Sequence, residues 1–423
     1  MEVLTQGERI SLLNGGFVTI KKELGQGGQG IVYVVDMNGE QKALKWYHEK
    51  NRLSQQFYNN LVSIVNQKAP SPAFLWPLCI TKRQKGSFGY VMDLCPDNFF
   101  EFRKFLLAYK KFNSFQPMLA AAMKICHSFM TLHLIGYSYR DLNDGNFFID
   151  PEAGDVRICD NDNVMPEGEK SDIRGKVRYM APEIVNGGIP DKYSDLFSLS
   201  VILFMLIYAN HPFEGQRGLD IPIMNEVLEK KFYGSEAVFI YDPYNDTNRP
   251  LRGRDDNVIR RWPYFPAELR KAFIHEFSPE VLNHKEERRL ELRWEQLFAS
   301  LRDRLIICPH CGEEMFFDEK KPQCMNCYRD VDVSKWLRLR MQMRKIPLVN
   351  NKFLFIDYDN TPEVRVVSNQ QDEMLLQNLT DDTWTAETPS GKIKKVGPKE
   401  FMPVKNGIKI SFSSTESGMI VVK

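Results

Sequence analysis

The segment Gly25-Gln26-Gly27-Gly28-Gln29-Gly30-Ile31-Val32 sets glycines in the pattern G-x-G-x-x-G-x-V between two stretches of strand-like alternation. Glycines at that spacing permit a tight turn and leave backbone N–H groups free to approach a phosphate, because no side chain intervenes. A dinucleotide-binding unit would need a helix directly after the last glycine and an acidic residue about twenty positions on. Here residues 31–47 continue as a hairpin through Asn38-Gly39, which excludes that fold and leaves a strand–loop–strand cover for phosphate.

Periodicity then divides the chain. Residues 16–92 alternate with period two, as in FVTIKKEL, GIVYVVDM and SFGYVMDL, with one amphipathic helical stretch near Ser54 to Asn66. They predict a small, mostly antiparallel lobe. From Phe99 helical patterns follow one another: FFEFRKFLLAYKKF, PMLAAAMKICHSFMTLHLIG, SDLFSLSVILFMLIYA, PAELRKAFIHEF and RRLELRWEQLFASLRDRL. They predict a larger helical lobe reaching residue 300. A length of 423 residues with 43% hydrophobic content suits a multidomain globular chain.

Lys plus Arg number 56 against 55 Asp plus Glu, so a net charge of +1 gives no general attraction to nucleic acid or anionic membranes. The most apolar run, Leu196 to Ala209, is too short for a bilayer span and reads as a buried helix. The opening MEVLTQGERI has no secretory pattern. Cys79, Cys95, Cys126 and Cys159 are scattered among apolar neighbours, and the other four cysteines form two close pairs. That usage suits a reducing compartment, and a cytoplasmic location is expected.

After the glycine loop comes Lys42-Ala43-Leu44-Lys45. Far downstream, Tyr139-Arg140-Asp141-Leu142-Asn143-Asp144-Gly145-Asn146 precedes an apolar Phe-Phe-Ile, then Ile158-Cys159-Asp160, then Ala181-Pro182-Glu183. In this order the elements resemble the signature set of the protein kinases over residues 16–300. The resemblance implies an α+β two-lobed fold, with an N-lobe over 16–92 and a C-lobe over 96–300, and an ATP-dependent Ser/Thr protein kinase. It implies that Gly25, Gly27 and Gly30 cover the phosphates of ATP and that Lys45 contacts them. Val32 and Ala43 belong to the same nucleotide-binding set, with Met92 at the gatekeeper and Asp93 to Cys95 as the hinge. Asp141 corresponds to the aspartate that orients the acceptor hydroxyl, and Asn146 and Asp160 to the ligands of Mg²⁺ (or Mn²⁺). Phosphoryl transfer proceeds by positioning and charge stabilisation, which explains a carboxylate beside the nucleophile and hard oxygen ligands for the metal. Glu183 would pair with Arg288 or Arg289, and Asp195 would anchor the catalytic-loop backbone.

This sequence departs from the pattern at several positions. Between Lys45 and Pro77 the one acid is Glu49, too close to serve as the helix glutamate usual in the family, and Asn60 is the expected substitute. Tyr139 replaces a histidine and can still pack as an aromatic spine residue. Asp160-Asn161-Asp162 replaces Asp-Phe-Gly, keeping the metal ligand and losing the aromatic plug. Asp162 either adds a carboxylate near the metal or is solvated, and solvation is expected. Ser171, with Arg140 to receive a phosphate, is a regulatory candidate set against a plain exposed serine. Asn143 stands where a lysine is usual and Lys176 where a threonine is usual. Either Lys176 supplies the displaced ammonium with Asn143 as its partner, or it is a surface lysine, the commoner case. An active protein kinase, an ATP-binding pseudokinase scaffold and a small-molecule kinase stay open. The segment before Ala181 favours a protein substrate.

Cys308-Pro-His-Cys311 and Cys324-Met-Asn-Cys327 are two C-x-x-C knuckles, which read as a closed Cys₄ zinc ribbon over 305–335. Structural Zn²⁺ is expected, redox chemistry being the alternative, and His310 is expected at the surface. Residues 335–345 alternate basic and apolar; a connector with one wet face is expected ahead of a nucleic-acid contact. Over 346–423 short alternating runs between turn signals such as Ser390-Gly391 and Asn406-Gly407 predict a small β-sandwich. It resembles the forkhead-associated class but lacks that class's Gly-Arg and Ser-x-x-His phosphothreonine elements. The three-part arrangement is similar to bacterial kinases of tellurium-resistance-like systems. That likeness implies a signalling or stress-response role, with a von Willebrand A protein and a metal-dependent phosphatase as partners.

Overall fold

The computed structural model describes residues 3–48, 53–169, 175–221, 223–320, 322–342, 344–357 and 360–422. Strands Arg9–Ser11, Phe17–Gln26, Gly30–Met37, Glu40–Tyr47, Gly89–Asp93 and Cys79–Ile80 form, in that spatial order, a six-stranded antiparallel sheet. The sheet begins ahead of residue 16, and Ile10 and Leu12 lie in its core. Asn38 and Gly39 both take positive φ, 56° and 88°, the geometry a two-residue hairpin turn needs. Alternation along Glu40–Tyr47 sends Leu44 and Trp46 into the core on one face of the sheet. Ala43 and Tyr47 go to the other, against Phe57, Leu61, Tyr90 and Met92.

The helix Gln55–Val65 starts at Ser54, whose hydroxyl accepts from the Phe57 N–H at 3.2 Å, and it buries Phe57, Leu61 and Ile64 at helical spacing. Its eleven residues include no acid.

The second lobe is built on helices Phe115–Leu134, Lys192–Tyr208 and Glu291–Arg304 around one apolar cluster. Lys192–Tyr208 opens on a reciprocal capping box between Asp191 and Ser194, and every residue from Ser194 to Tyr208 is buried. The stretch from Phe99, expected to be helical, forms instead a strand Phe100–Glu101 and a helix of one turn, Phe102–Leu106. Phe100–Glu101 is taken up by pairing with Phe147–Ile149, and Ala108 at φ 58° ends the helical run.

Glu291–Arg304 runs directly into the hairpin Leu305–Ile307 and Glu314–Phe316, which carries the first cysteine knuckle at its turn. Phe316 packs on Phe115 and Phe265, with ring centroids 5.8 and 5.3 Å apart, so the hairpin is joined to the helical lobe. Beyond it, a six-stranded and a four-stranded antiparallel sheet share one buried cluster that includes Leu339, Val366, Leu376, Trp384, Ile410 and Ile420. Arg338–Arg340, in the stretch read as a connector, is a strand inside the larger sheet, paired with both Lys345–Pro347 and Ser417–Val421. The sheet thus starts ahead of residue 346. Arg344 binds both carboxylate oxygens of Asp303, at 2.6 and 2.8 Å, and fixes this unit to the end of Glu291–Arg304. Among the described residues, no helix is long and apolar enough to cross a membrane.

Candidate active site

The glycine loop turns between Phe17–Gln26 and Gly30–Met37, closed by the Gly27 N–H donating to the Gly30 carbonyl at 2.9 Å. A Cβ at Gly30 would lie 2.4 Å from the Trp46 carbonyl oxygen, so only glycine lets these strands close. At Gly25 and Gly28 a Cβ would meet nothing within 4 Å, and at Gly27 only the Gly30 oxygen at that distance. Val32 lies opposite Lys45 in the sheet, and Ala43 opposite Met92. Asp93 directs its exposed carboxylate to Lys42, at 2.8 Å. Burial pushes the Cys95 thiol up to about 11 and raises that of Cys159 well above the ordinary range, so both stay protonated.

Lys45 is buried, and its Nζ donates to Gln29 Oε1 at 3.0 Å, to Asp160 Oδ1 at 3.0 Å, and to both oxygens of Asp162 at 3.3 and 3.1 Å. Burial opposes the ammonium, but Asp162 and then Asp160 outweigh it and raise the lysine above its ordinary value. Two expectations fall here. Asp162 is not solvated: its side chain is 0% exposed, and it also accepts from the Tyr47 hydroxyl at 2.6 Å. Asn60 does not replace the helix acid, because its amide donates to the Val164 carbonyl at 3.3 Å. A short polar residue on that helix reaches the loop backbone, and the buried acid comes from the turn after Asp160. Glu49 lies outside the described residues.

Asp141 is held from two sides. The Asn163 amide donates to its Oδ2 at 3.2 Å, and the Asn143 amide to its carbonyl at 3.1 Å and its Oδ1 at 3.4 Å. Lys176 Nζ donates to Asn143 Oδ1 at 2.8 Å, so the two exchanged residue types meet beside Asp141. Asp160 takes a left-handed backbone, φ 57°, and its side chain stays 40% exposed. Asn146 donates its amide to the Tyr139 hydroxyl at 3.0 Å, while its buried Oδ1 has no hydrogen-bond partner. An orphaned amide oxygen near an accessible carboxylate fits a hard divalent cation.

Behind these groups Asp195 accepts from the backbone N–H of Tyr139 at 2.5 Å and of Arg140 at 2.9 Å, and His133 bridges Asp195 and Glu291. Tyr139 is buried against Phe129, ring centroids 5.5 Å apart. Glu183 pairs with Arg288 through two 2.7 Å bonds. Arg140 is not free to receive a phosphate: its guanidinium is buried and donates to Ser138 Oγ at 2.9 Å and to the Pro166 carbonyl at 2.8 Å. Its supposed partner Ser171 lies outside the described residues. Gln29, Tyr47 and Asn163 were not foreseen as site residues, and Asp162 was weighed only as a carboxylate near the metal. The helix without acid and the second aspartate of Asp160-Asn161-Asp162 were the available signals.

A second centre lies at the cysteine knuckles. The four Sγ atoms of Cys308, Cys311, Cys324 and Cys327 are all within 4.8 Å of one another. The Asn326 N–H points at Cys324 Sγ at 3.4 Å, and the Cys311 thiol is lowered to about 6, first by the Glu313 backbone N–H. Thiolate-favouring donors around four convergent sulfurs fit a Zn²⁺ ion. His310 is exposed and meets the Asp330 carbonyl at 3.0 Å, away from the sulfurs.

Comparison with known proteins bears on the family of the chain. The chain is similar to ribosomal protein S6 kinase 2 alpha of Xenopus laevis, 29% identical over 164 residues, and to ribosomal protein S6 kinase alpha-6 of Danio rerio, 34% identical over 162. Each alignment spans 35% of this chain and 22% of the relative. Similarity to the RAC family serine/threonine-protein kinase homolog of Dictyostelium discoideum extends over 281 residues at 27% identity, covering 61% of this chain and 62% of that protein. Residues 18–290 match the protein kinase domain, the span that holds the glycine loop, Lys45, Asp141, Asn146 and Asp160. The chain therefore belongs to the protein kinase family.

Proposed function

We propose that this chain is an ATP-dependent Ser/Thr protein kinase that transfers the γ-phosphoryl of Mg-ATP to a protein hydroxyl. The observation that carries the reading is the 3.0 Å contact of Lys45 with Asp160, beside an unpartnered Asn146 Oδ1 whose backbone carbonyl accepts from Cys159 at 2.9 Å, with Asp141 held by Asn163 of the turn after Asp160. Mg-ATP supplies the transferable phosphoryl group and the metal charge that offsets its oxygens. The backbone of Gly25, Gly27 and Gly30 covers the phosphates, and Lys45 neutralises them. Val32, Ala43, Met92, Asp93 and Cys95 frame the base. Asn146 and Asp160 hold Mg²⁺, or Mn²⁺ in its place. Asp141, fixed by Asn143 and Asn163, orients the acceptor hydroxyl and takes its proton. Lys176 adds an ammonium at the same place.

The kinase unit runs from the strand Arg9–Ser11 to about residue 300, followed by a structural zinc ribbon over 305–335 and a forkhead-associated-like sandwich that opens at Arg338–Arg340. The sandwich has no phosphothreonine elements and serves protein contact. By likeness to tellurium-resistance-like systems, a von Willebrand A protein and a metal-dependent phosphatase are the partners, in cytoplasmic signalling. The test is radiolabelled ATP turnover with mixed protein acceptors. Asp141→Asn should abolish transfer while sparing Mg-ATP binding, and Asp160→Ala should weaken both. Tight Mg-ATP binding with no transfer by the wild type would leave an ATP-binding scaffold.

A further inference from the structure

The carboxylate beside Lys45 comes from the turn Asn161–Asn163 and not from a helix. We infer that Asp162 is the positioning residue for Lys45, supplying from the turn the counter-charge that the helix Gln55–Val65 does not provide. The inference rests on the kinase reading above. An ammonium as buried as that of Lys45, 5% exposed, needs a fixed counter-charge. Asp160 and Asp162 both lie on it, but they are not equivalent. Asp160 is half-exposed, and a metal ion held there competes with Lys45 for its oxygens. Asp162 is fully buried and directs both oxygens at Lys45.

Three features hold Asp162 in place. The Tyr47 hydroxyl donates to its Oδ2, and Tyr47 lies two residues from Lys45 on Glu40–Tyr47, so strand alternation sends both to one face. Asn161, in the same turn, donates to the carbonyls of Leu75 at 2.8 Å and Ile158 at 3.0 Å, pinning the turn between the lobes. The helix offers no acid, and its Asn60 is spent on the Val164 carbonyl. Both members of the Lys45–Asp162 pair sit on the sheet and on the loop behind the metal ligand. The helix reaches the pair through packing: Phe57 lies against Tyr47, ring centroids 5.2 Å apart, and Asn60 holds the Val164 carbonyl, while the counter-charge itself comes from the turn.

The experiment measures single-turnover transfer and Mg-ATP binding on the full chain for wild type, Asp162→Asn, Lys45→Met, the double variant, Tyr47→Phe and Asn60→Ala. Asp162→Asn should slow transfer about tenfold or more and weaken Mg-ATP binding, with the Mg²⁺ requirement unchanged. If Asp162 acts through Lys45, the double variant binds Mg-ATP no worse than Lys45→Met alone. Tyr47→Phe should move both readouts in the same direction by less, and Asn60→Ala, which removes no partner of Lys45, should move them less than Asp162→Asn. Wild-type values in Asp162→Asn, additive losses in the double variant, or a change confined to the Mg²⁺ requirement would overturn the proposal. Should Asp162→Asn fail to fold by thermal melting, the cycle of Tyr47→Phe with Lys45→Met carries the same comparison. A wild type that binds Mg-ATP and transfers nothing defeats the kinase reading alone, since the binding cycle still reads Asp162. A wild type that does not bind Mg-ATP overturns both.

Discussion

Lys176 and Asn143 carry each other's expected polarity, and the 2.8 Å bond between them places an ammonium next to Asp141. Losing that contact in Lys176→Met should lower turnover about tenfold, equivalent to about 1.4 kcal/mol at the transition state. Asn143→Lys with Lys176→Thr should recover more activity than Lys176→Thr alone. Steady-state rates on a common acceptor decide it, and wild-type turnover in Lys176→Met would reduce the pairing to a surface contact. His133 makes a second prediction at this scale. Burial disfavours its cation, yet the hydrogen bonds it donates to Asp195 and Glu291 prevail and raise it to about 9. Its folded value exceeds the roughly 6.5 of a free histidine, so the bound proton stabilises the fold fully below that pH. The contribution is lost as pH rises through about 9. Urea melts of wild type and His133→Gln should therefore converge between pH 6 and pH 10, with the wild type ahead at the acid end.

At the scale of elements, the cysteine hairpin is part of the helical lobe's packing. Glu314 accepts from the Phe115 N–H at 2.7 Å, where the helix Phe115–Leu134 begins, and Phe316 stacks into the aromatic group of Phe115, Tyr264 and Phe265. One equivalent of zinc is expected by metal analysis after purification without chelators. Cys308→Ser should lose it and lower the melting temperature by several degrees, because the hairpin's fold and part of the lobe's aromatic packing go together. Mg-ATP binding should persist, since among the described residues the hairpin's side-chain partners, such as Phe115, Tyr264 and Phe265, lie outside the candidate site. A melting temperature equal to wild type would show that the ribbon's metal does not stabilise the lobe. The helix Gln55–Val65 was legible from its spacing of Phe57, Leu61 and Ile64. The segment after Phe99 was not, because its apolar residues suit a helix equally well until a partner strand at Phe147–Ile149 claims Phe100.

For the whole molecule, the joint between the kinase lobe and the C-terminal sheets is an ion pair buried at both ends. Arg344 and Asp303 have side chains 9% and 2% exposed, and the Arg344 guanidinium also donates to the Ile356 and Phe355 carbonyls. Lys352 reaches the Asp303 carbonyl from the same side at 2.6 Å. Asp303→Ala would remove the buried carboxylate that two guanidinium nitrogens of Arg344 meet, a loss of up to about 3–5 kcal/mol for such a pair. Limited proteolysis should then release the C-terminal sheets, whereas the wild type should resist cleavage at the joint. A digestion pattern identical to wild type would mean that the remaining contacts, among them Lys352 to the Asp303 carbonyl and Arg302 to Asn360, suffice to hold the units.

The sequence by itself determined what depends on neighbours along the chain. Period-two runs marked the strands of the first lobe, i and i+4 spacing marked its helix, and the glycine, lysine, aspartate and asparagine types carried the family. Two knuckles of cysteine were readable because two thiolates turn onto one ion within four residues. The tertiary structure alone decided which acid meets Lys45. Asp162 is 117 residues away, and whether it points to solvent or to a buried ammonium depends on how the turn is pinned to Leu75 and capped by Tyr47. The same holds for Arg140, whose donors are consumed by Ser138 and Pro166, and for Arg338–Arg340, read as a connector yet paired between two strands of one sheet. In each case local pattern fixes the face a side chain occupies, while its partner is set by packing between distant segments, where burial makes any unmatched charge or donor costly.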